Sequence, residues 1–567
     1  MLMQGLRTTA VLAALLAVAG CGKKIDVDSP LAFVPADTPY LFANTEPMPD
    51  AMITQWREQM QAMWPLMTDA VDHALVEIDK KPDSGAAGRV LHAIFDEVRS
   101  RSTPEKWQEI GLGPKVRAAI YGVDLLPVLR LELADADAFR AALERIEKKA
   151  GASLTTTHIG DQEIRSFGDA SVTGLLAIEG RHLVVAFVAG DADEASKRRI
   201  LGLDKPAHSM ADSGALAEFD KTRGYLPYGS GWIDTRRIIA LAAANPMLAK
   251  AVTDPGAPAG GLDAVCLGEL DAAASKMPRL AFGYTELSAE RMSMHARVDL
   301  APAIAQSLVA FGSAVPGTAS SDALIDMAFA LPLLRAKDFW VAQADAVAKS
   351  PFHCALLAPL NEAFVKAKSQ LDQTVPPPLA DLTGVRMTIS HFAWPQGASD
   401  AQIMPEVTGR LLIGSNNPSF LTNLAQLSVP ALRDIKLAAD GKPVSIPATV
   451  LPGAMADKLD LNVAMSAKML GLSVGKDEAA RIGDAVATAK VTPGVLFEMN
   501  LRGEIYTLAG DAIGRFADKL PAEQRAQMET QRKLYAMYGQ WFKRIDARVT
   551  IGAEGIDLTE SVELAKP

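Results

Sequence analysis

The residue whose surroundings point most clearly to chemistry is Cys21. One basic residue, Arg7, precedes an apolar run over residues 8–19, and small residues then lead to the cysteine. A run of about twelve residues is too short to cross a bilayer, which takes roughly 20, but it suits the apolar core of a secretory signal peptide. A cysteine thiolate is a good nucleophile. The pattern predicts that residues 1–20 are removed in front of a modified Cys21.

The segment Val18-Ala19-Gly20-Cys21 resembles the lipobox of bacterial lipoproteins. The resemblance implies that the Cys21 thiol receives a diacylglycerol and that the new amino terminus is acylated. Two or more acyl chains hold a protein firmly, at about 0.8 kcal/mol per buried methylene. An ordinary cleaved leader with an incidental cysteine is the alternative.

The residue after the cysteine governs sorting in that family, in which aspartate retains the protein at the inner membrane. Here it is Gly22, so the resemblance implies the periplasmic face of the outer membrane, with the inner membrane as the alternative because Lys23 and Lys24 follow. The nearby Pro-Ala-Asp-Thr segment, residues 35–38, loosely resembles that of uncharacterised Gram-negative envelope lipoproteins. This second resemblance implies no catalytic residues.

Two further cysteines, Cys266 and Cys354, remain in the mature chain. In an oxidising periplasm two leftover thiols are a natural pair. Because the closed loop is long, a bridge between them contributes roughly 4 to 5 kcal/mol in the chain-entropy view. Spacing alone does not establish that they meet, and two buried free thiols are the alternative.

Two catalytic signatures overlap at Ser473 and Lys476, in the segment GLSVGK. Its Gly-x-Ser-x-Gly spacing is that of a serine-hydrolase elbow, and its Ser-x-x-Lys spacing is that of penicillin-recognising enzymes. The elbow needs a preceding strand, whereas residues 464–470 are predicted to be helical. The partner motifs are also missing, since the last histidine is His391. The alternative is that this segment is a turn before a helix and has no catalytic role.

Methionines offer the remaining candidates for chemistry. Met60, Met63 and Met67 have helical spacing, and thioethers bind copper, but Pro65 falls among them and an adaptable apolar face is the simpler explanation. In the segment 292–295, strand alternation is expected to send Met294 and His295 to opposite faces. The scattered histidines give no zinc pattern, and no phosphate-binding glycine loop is complete. We therefore predict no metal site and no cofactor.

Composition limits the possible partners. Without residues 1–20 the chain has 547 residues, with 56 basic and 67 acidic side chains, so its net charge is near −11. An acidic chain without a basic segment is unsuited to nucleic acid, whose binding depends on phosphate neutralisation. Hydrophobic residues make up 49% of the sequence, which provides for large cores.

Period-two patterns predict antiparallel strands, each half-buried. A strand-turn-strand-helix unit recurs over residues 119–148, 280–311 and 385–420, and in the last of these the segment SNNPSF supplies a helix cap and a first-turn proline. The chain ends in a hairpin over 545–564. A short strand is expected at 40–43 and a helix, kinked or broken by Pro65, at 50–79. The predicted class is α+β, with antiparallel sheets built from these units and helices packed on one face.

Segments rich in glycine and proline are predicted to be boundaries that divide the chain into parts. After the leader come a tether at residues 21–30 and three α+β segments, at 31–255, 264–373 and 379–567. The expected function is non-enzymatic: a membrane-anchored periplasmic lipoprotein that binds a partner protein or an apolar ligand. The alternatives are a lipid carrier with an apolar groove and a serine hydrolase or penicillin-recognising activity at Ser473.

Changing Cys21 to Ser is expected to abolish lipidation, because an alcohol is a far weaker nucleophile than a thiolate. Radiolabelled palmitate should enter the wild-type protein and be absent from the Cys21→Ser variant, with Cys266→Ser as the matched control that keeps the label. Equal labelling of the Cys21→Ser and wild-type chains would contradict the lipobox interpretation.

Overall fold

Helices and antiparallel strands alternate along the chain in a computed structural model of the protein, in agreement with the α+β class predicted from sequence. The structure describes residues 26, 28–79, 85–168, 172–244, 263–309, 311–312, 315–394, 405–447, 450, 459–487, 494–517 and 520–565. Cys21 and the Gly- and Pro-rich seam at 253–262 lie outside these residues.

The strands, in chain order, are β1 (Tyr40–Ala43), β2 (Ala118–Val123), β3 (Leu126–Glu132), β4 (Thr155–Ile159), β5 (Gln162–Gly168), β6 (Val172–Glu179), β7 (His182–Ala189), β8 (Ser230–Asp234), β9 (Arg279–Leu287), β10 (Arg291–Asp299), β11 (Ile325–Ala330), β12 (Leu382–Ala393), β13 (Glu406–Ser415), β14 (Val444–Ser445), β15 (Leu461–Met465), β16 (Met469–Val474), β17 (Val495–Arg502), β18 (Phe542–Ile551) and β19 (Gly555–Leu564).

The α-helices are α1 (Asp50–Asp79), α2 (Gly85–Arg99), α3 (Pro104–Gln108), α4 (Ala136–Ala150), α5 (Glu194–Leu201), α6 (Met210–Ser213), α7 (Ala215–Arg223), α8 (Thr235–Ala244), α9 (Ala264–Lys276), α10 (Pro302–Val309), α11 (Leu333–Lys349), α12 (Ala358–Leu371), α13 (Pro377–Ala380), α14 (Pro418–Ser428), α15 (Glu478–Ala487), α16 (Glu504–Ala517) and α17 (Ala522–Trp541). The predicted helix at 50–79 is confirmed, and it continues without a break through Pro65.

Two compact units make up the chain, and neither is continuous in sequence. Unit 1 comprises residues 1–47 and 105–229, and unit 2 comprises residues 48–104 and 230–567. The sequence-derived segment 31–255 is thus divided between the units. The proposed boundary at 373–379 falls inside unit 2, because β11 on one side of it pairs with β12 on the other.

Unit 1 is built on a seven-stranded antiparallel sheet in the order β1-β2-β3-β7-β6-β5-β4. A row of directly opposed residues, Leu41, Tyr121, Val128 and Ala186, is at most 1% exposed and forms the centre of its core. Helix α4 begins where the Asp135 carboxylate accepts hydrogen bonds from two backbone amides of its first turn. It packs Phe139 and other apolar residues against the sheet.

The amino-terminal segment of unit 1 is docked against a buried polar cluster. Phe33 makes an edge-on contact with His182, and the fully buried Arg130 guanidinium lies 3.6 Å from the centre of the Phe33 ring. Burial and the neighbouring Arg130 charge lower the pKa of His182 to about 4, so its ring is neutral at pH 7. Ser29 and Pro30, at the end of the predicted tether 21–30, are buried.

Unit 2 contains a twelve-stranded antiparallel sheet in the order β8-β9-β10-β19-β18-β17-β11-β12-β13-β16-β15-β14. The predicted hairpin at the end of the chain is confirmed: Ile551 pairs with Ile556, and Val549 with Leu558. The helix predicted at 464–470 is wrong, because that segment forms the β15-β16 hairpin. Both faces of this hairpin are buried, so its sequence lacks the alternation of apolar and polar residues by which a half-buried strand is recognised.

Helices pack on both faces of the unit 2 sheet, not on one as predicted. Ile482 of α15 packs with Leu412 of β13, whereas Leu421 of α14 packs with the next residue of that strand, Ile413. Successive residues of a strand point to opposite faces, so α14 and α15 lie on opposite sides. The Asn417 side chain caps α14, and Pro418 occupies its first turn, as the sequence predicts.

Candidate functional site

An apolar surface extends over one face of the unit 2 sheet. Three rows of directly opposed residues cross ten strands, from β9 to β15, and we call these thirty residues the apolar surface. The first row is Phe282, Ala296, Leu558, Val549, Phe497, Phe329, Val385, Ile413, Leu470 and Met465. The second is Tyr284, Met294, Glu560, Ala547, Met499, Met327, Met387, Leu411, Leu472 and Val463. The third is Leu287, Met292, Val562, Ile545, Leu501, Ile325, Ile389, Gly409, Val474 and Leu461.

The middle of the apolar surface is open. Phe329 and Met387, on adjacent strands, are each 41% exposed, and Leu558 and Met294 are 37% and 36% exposed. The β15-β16 end is covered by a core cluster, through α14 and residues 435–446, and Val562 of the third row is buried too. The sheet therefore presents large apolar side chains where a monomer ordinarily has polar ones.

The opposite face carries a polar row, also ten strands wide. Its directly opposed members are Glu286, Ser293, Ser561, Asp546, Asn500, Asp326, Thr388, Arg410, Ser473 and Asn462. Several members are nearly inaccessible: Asp326 and Thr388 are 1% exposed and Asn500 is 3% exposed. Burial is thus inverted in the centre of the sheet, with the polar face covered and the apolar face open.

Paired charges make burial of the polar face possible. The Arg386 guanidinium, 1% exposed, donates hydrogen bonds to Asp326, to Glu498 over 2.7 Å and to the Pro316 carbonyl over 2.7 Å. The second Asp326 oxygen accepts a hydrogen bond from the Thr388 hydroxyl at 2.7 Å. A buried ion pair is tolerated when its remaining hydrogen-bonding groups are satisfied in this way.

The candidate nucleophile Ser473 belongs to the polar row. It lies on β16, opposite Arg410 and Asn462, and is 4% exposed. Its hydroxyl has no hydrogen-bond partner within the described residues. The left-handed residues of the following turn are Gly475 and Asp477, so the serine is not at the strained position of a nucleophile elbow.

Lys476 lies in the turn after β16, ahead of α15. A serine nucleophile needs a base within hydrogen-bond reach, and no hydrogen bond between Ser473 and Lys476 is present. The structure therefore places Ser473 in the polar row, without a hydrogen bond to Lys476.

The structure brings Cys266 and Cys354 together, with 4.3 Å between their Cα atoms and their sulfurs bonded. Glu269 lies on the same helix as Cys266, α9, and its carboxylate accepts hydrogen bonds from the backbone amides of His353 and Cys354. These hydrogen bonds hold the pKa of Glu269 below its ordinary value. The bridge joins α9 to the loop that precedes α12.

The methionine candidates for metal binding lie on two elements: Met60, Met63 and Met67 on α1, and Met294 on β10. Met294 lies on the apolar surface, whereas His295 lies on the opposite face, where its ring nitrogen is 2.7 Å from Asp557. The expected separation of these two side chains is confirmed. Within the described ranges, no group of three or more His, Cys, Asp or Glu side chains is arranged to hold a metal ion.

Comparison of the chain with models of known protein families, with curated proteins and with solved structures gave no match. Among the described helices, none combines the length and apolar character needed to cross a membrane.

Replacing Arg386 with Met is expected to lower the free energy of unfolding by about 3 to 5 kcal/mol, because Asp326 then stays buried without its charge partner. The matched control is Arg532→Met, which breaks the exposed ion pair with Glu529 on α17 and is expected to leave the free energy of unfolding nearly unchanged. Urea unfolding followed by circular dichroism gives both values. Equal losses in the two variants would show that the buried pair does not hold the sheet.

Proposed function

We propose that this protein is an acyl-anchored lipoprotein of the bacterial envelope, without enzymatic activity, that binds the acyl chains of lipids on the apolar surface of unit 2. The observation that carries the proposal is the inverted burial of the sheet. Phe329 and Met387 are open to solvent, while Asp326 and Thr388, on the opposite face of the same strands β11 and β12, are buried. Large open apolar patches mark binding sites on soluble domains.

The composition of the apolar surface favours an acyl chain over a protein partner. Glu560 is the one charged residue among its thirty members, whereas protein interfaces are typically about 56–65% apolar and have a polar rim. The strands satisfy one another's backbone groups across the sheet, so this face offers a lipid chain few unpaired polar groups. Methionines in the second row, such as Met294, Met327 and Met387, adapt to ligands of different shape.

The open part of the apolar surface is long enough for a lipid chain. From β10 to β12 there are five steps between neighbouring strands, each about 4.8 Å, which gives roughly 24 Å. The acyl chains of a lipid extend through one leaflet, which is about half of the 30 Å thickness of the bilayer core. An acyl chain can therefore lie across the strands from Met294 to Met387.

The anchor at Cys21 supplies the second support, because acylation keeps the binding surface beside its source of lipid. The lipobox and Gly22 favour the periplasmic face of the outer membrane. We also propose that the chain is assembled from a recurring unit of strand, turn, strand and helix. The hairpins β2-β3, β9-β10 and β12-β13 are followed by α4, α10 and α14 respectively, which supports this interpretation.

A fatty-acid titration tests the proposal. The full mature chain carrying Cys21→Ser, which needs no detergent, is titrated with dansyl-labelled undecanoic acid while the fluorescence is followed. The Phe329→Glu and Met387→Glu variants are expected to bind the probe at least 10-fold more weakly, because binding then desolvates a carboxylate. The matched control Val365→Glu changes an equally apolar residue, 63% exposed on α12 and outside the apolar surface, and should bind like the parent.

Two results would refute the proposal. One is equal affinity in all four chains, with the variants shown to be folded by their circular dichroism. The other is a stable dimer, seen by light scattering, that Phe329→Glu dissociates in a chain that binds no fatty acid, since a second copy would then be what covers the surface.

A further inference from the structure

A cavity opens beside the polar row of the unit 2 sheet, and Met294, Met499, Ala547 and Glu560 of the apolar surface also contribute to its lining. Its volume is about 450 Å³, within the range of small-molecule sites. The hydroxyl-bearing residues Ser293, Thr559 and Ser561 line it on β10 and β19. The Ser293 and Ser561 hydroxyl oxygens are 3.0 Å apart, so these strands present adjacent hydroxyl groups to one space.

The charges in the cavity wall are neutralised within the wall. Glu498 lies 2.6 Å from the Arg548 guanidinium and also accepts a hydrogen bond from Arg386. Asp546 accepts hydrogen bonds from Arg544, at 2.9 Å, and from the Asn500 amide, at 2.5 Å. Asp326 and Arg291, the other charged groups of this face that line the cavity, are likewise paired, with Arg386 and Glu563. Glu560 also contributes to the lining, and both lining arginines are paired with carboxylates, so the cavity has no spare positive charge with which to select an anion.

Two hydrogen-bonding atoms in the wall have no partner. Asn500, 3% exposed, leaves its side-chain carbonyl oxygen unsatisfied, and Arg548 leaves its Nε–H unsatisfied, within the part of the chain that the structure describes. One is an acceptor and the other a donor, on the adjacent strands β17 and β18. A buried polar group without a partner is costly. Both atoms are closed off from solvent, so a ligand hydroxyl, which both donates and accepts, complements the pair once the two side chains turn toward the cavity.

We propose that this cavity binds a neutral polyhydroxylated ligand, that is, a sugar. A sugar matches the wall in four respects: size, uncharged character, a high density of hydroxyl groups and the need for both donors and acceptors. The proposal does not depend on lipid binding, because the groups that it uses, Ser293, Ser561 and Asn500, belong to the polar row and not to the apolar surface.

Calorimetric titration of the full mature chain carrying Cys21→Ser tests the proposal with glucose, N-acetylglucosamine, maltose and glucose 6-phosphate as probes. At least one neutral sugar is expected to bind, and glucose 6-phosphate at least 10-fold more weakly than glucose, because the wall offers no spare positive charge. The variants Asn500→Ala and Ser561→Ala should each weaken sugar binding at least 10-fold. The matched control Ser307→Ala removes an exposed hydroxyl on α10 and should leave binding unchanged.

A further titration with octyl glucoside distinguishes a free glycan, bound as tightly as its headgroup alone, from a glycolipid, bound more tightly. The proposal is overturned if the folded chain binds none of the neutral sugars with a Kd below about 10 mM. It is equally overturned if glucose 6-phosphate is preferred to glucose. The Ser561→Ala variant, on a partly exposed position, keeps the test valid should Asn500→Ala fail to fold.

Discussion

The ion pair between Arg386 and Asp326 fixes the register on which both faces of the unit 2 sheet depend. It joins β11 to β12, and Glu498 extends it to β17 on the other side of β11. Side chains alternate with a period of two along each strand, so a slip of one residue would carry every apolar side chain to the polar face. The Arg386–Asp326 ion pair forms in only one register of β11 against β12, so it excludes the slipped register. Buried ionic groups can make a fold specific in this way.

With the register fixed, the two faces can serve different partners. The polar face is covered, in part by α15 through Ile482 and Val486, and retains a hydroxyl-lined cavity. The apolar face is covered at its β15-β16 end, where α14 packs, and is open around Phe329, Met387, Leu558 and Met294. Leaving large apolar side chains in water costs about 25 cal/mol for each Å² of exposed surface. We expect a protein to keep such unfavourable exposure only where a ligand covers the apolar side chains.

Local patterns in the sequence were sufficient for several elements. Four predicted elements depend on residues that are close in sequence, and the structure contains all four. They are the strand Tyr40–Ala43, the helix Asp50–Asp79, the Asn417 cap and the terminal hairpin. The polar row was not predictable, because it depends on pairings such as β10 with β19, whose partners are more than 250 residues apart. Ser473 shows the consequence: alone it matches a catalytic spacing, whereas in register it continues a line of buried polar residues. The β15-β16 hairpin was missed because both its faces are buried.

Photolabelling with a diazirine-bearing fatty acid tests the account most directly. The acid is added to the full mature chain carrying Cys21→Ser and activated by light, and the labelled residues are mapped by mass spectrometry. The account predicts that label concentrates on β10, β11, β12 and β19, at Met294, Phe329, Met387 and Leu558. Label spread in proportion to exposure over other apolar side chains, such as Val365 and the 76% exposed Leu427, would contradict it.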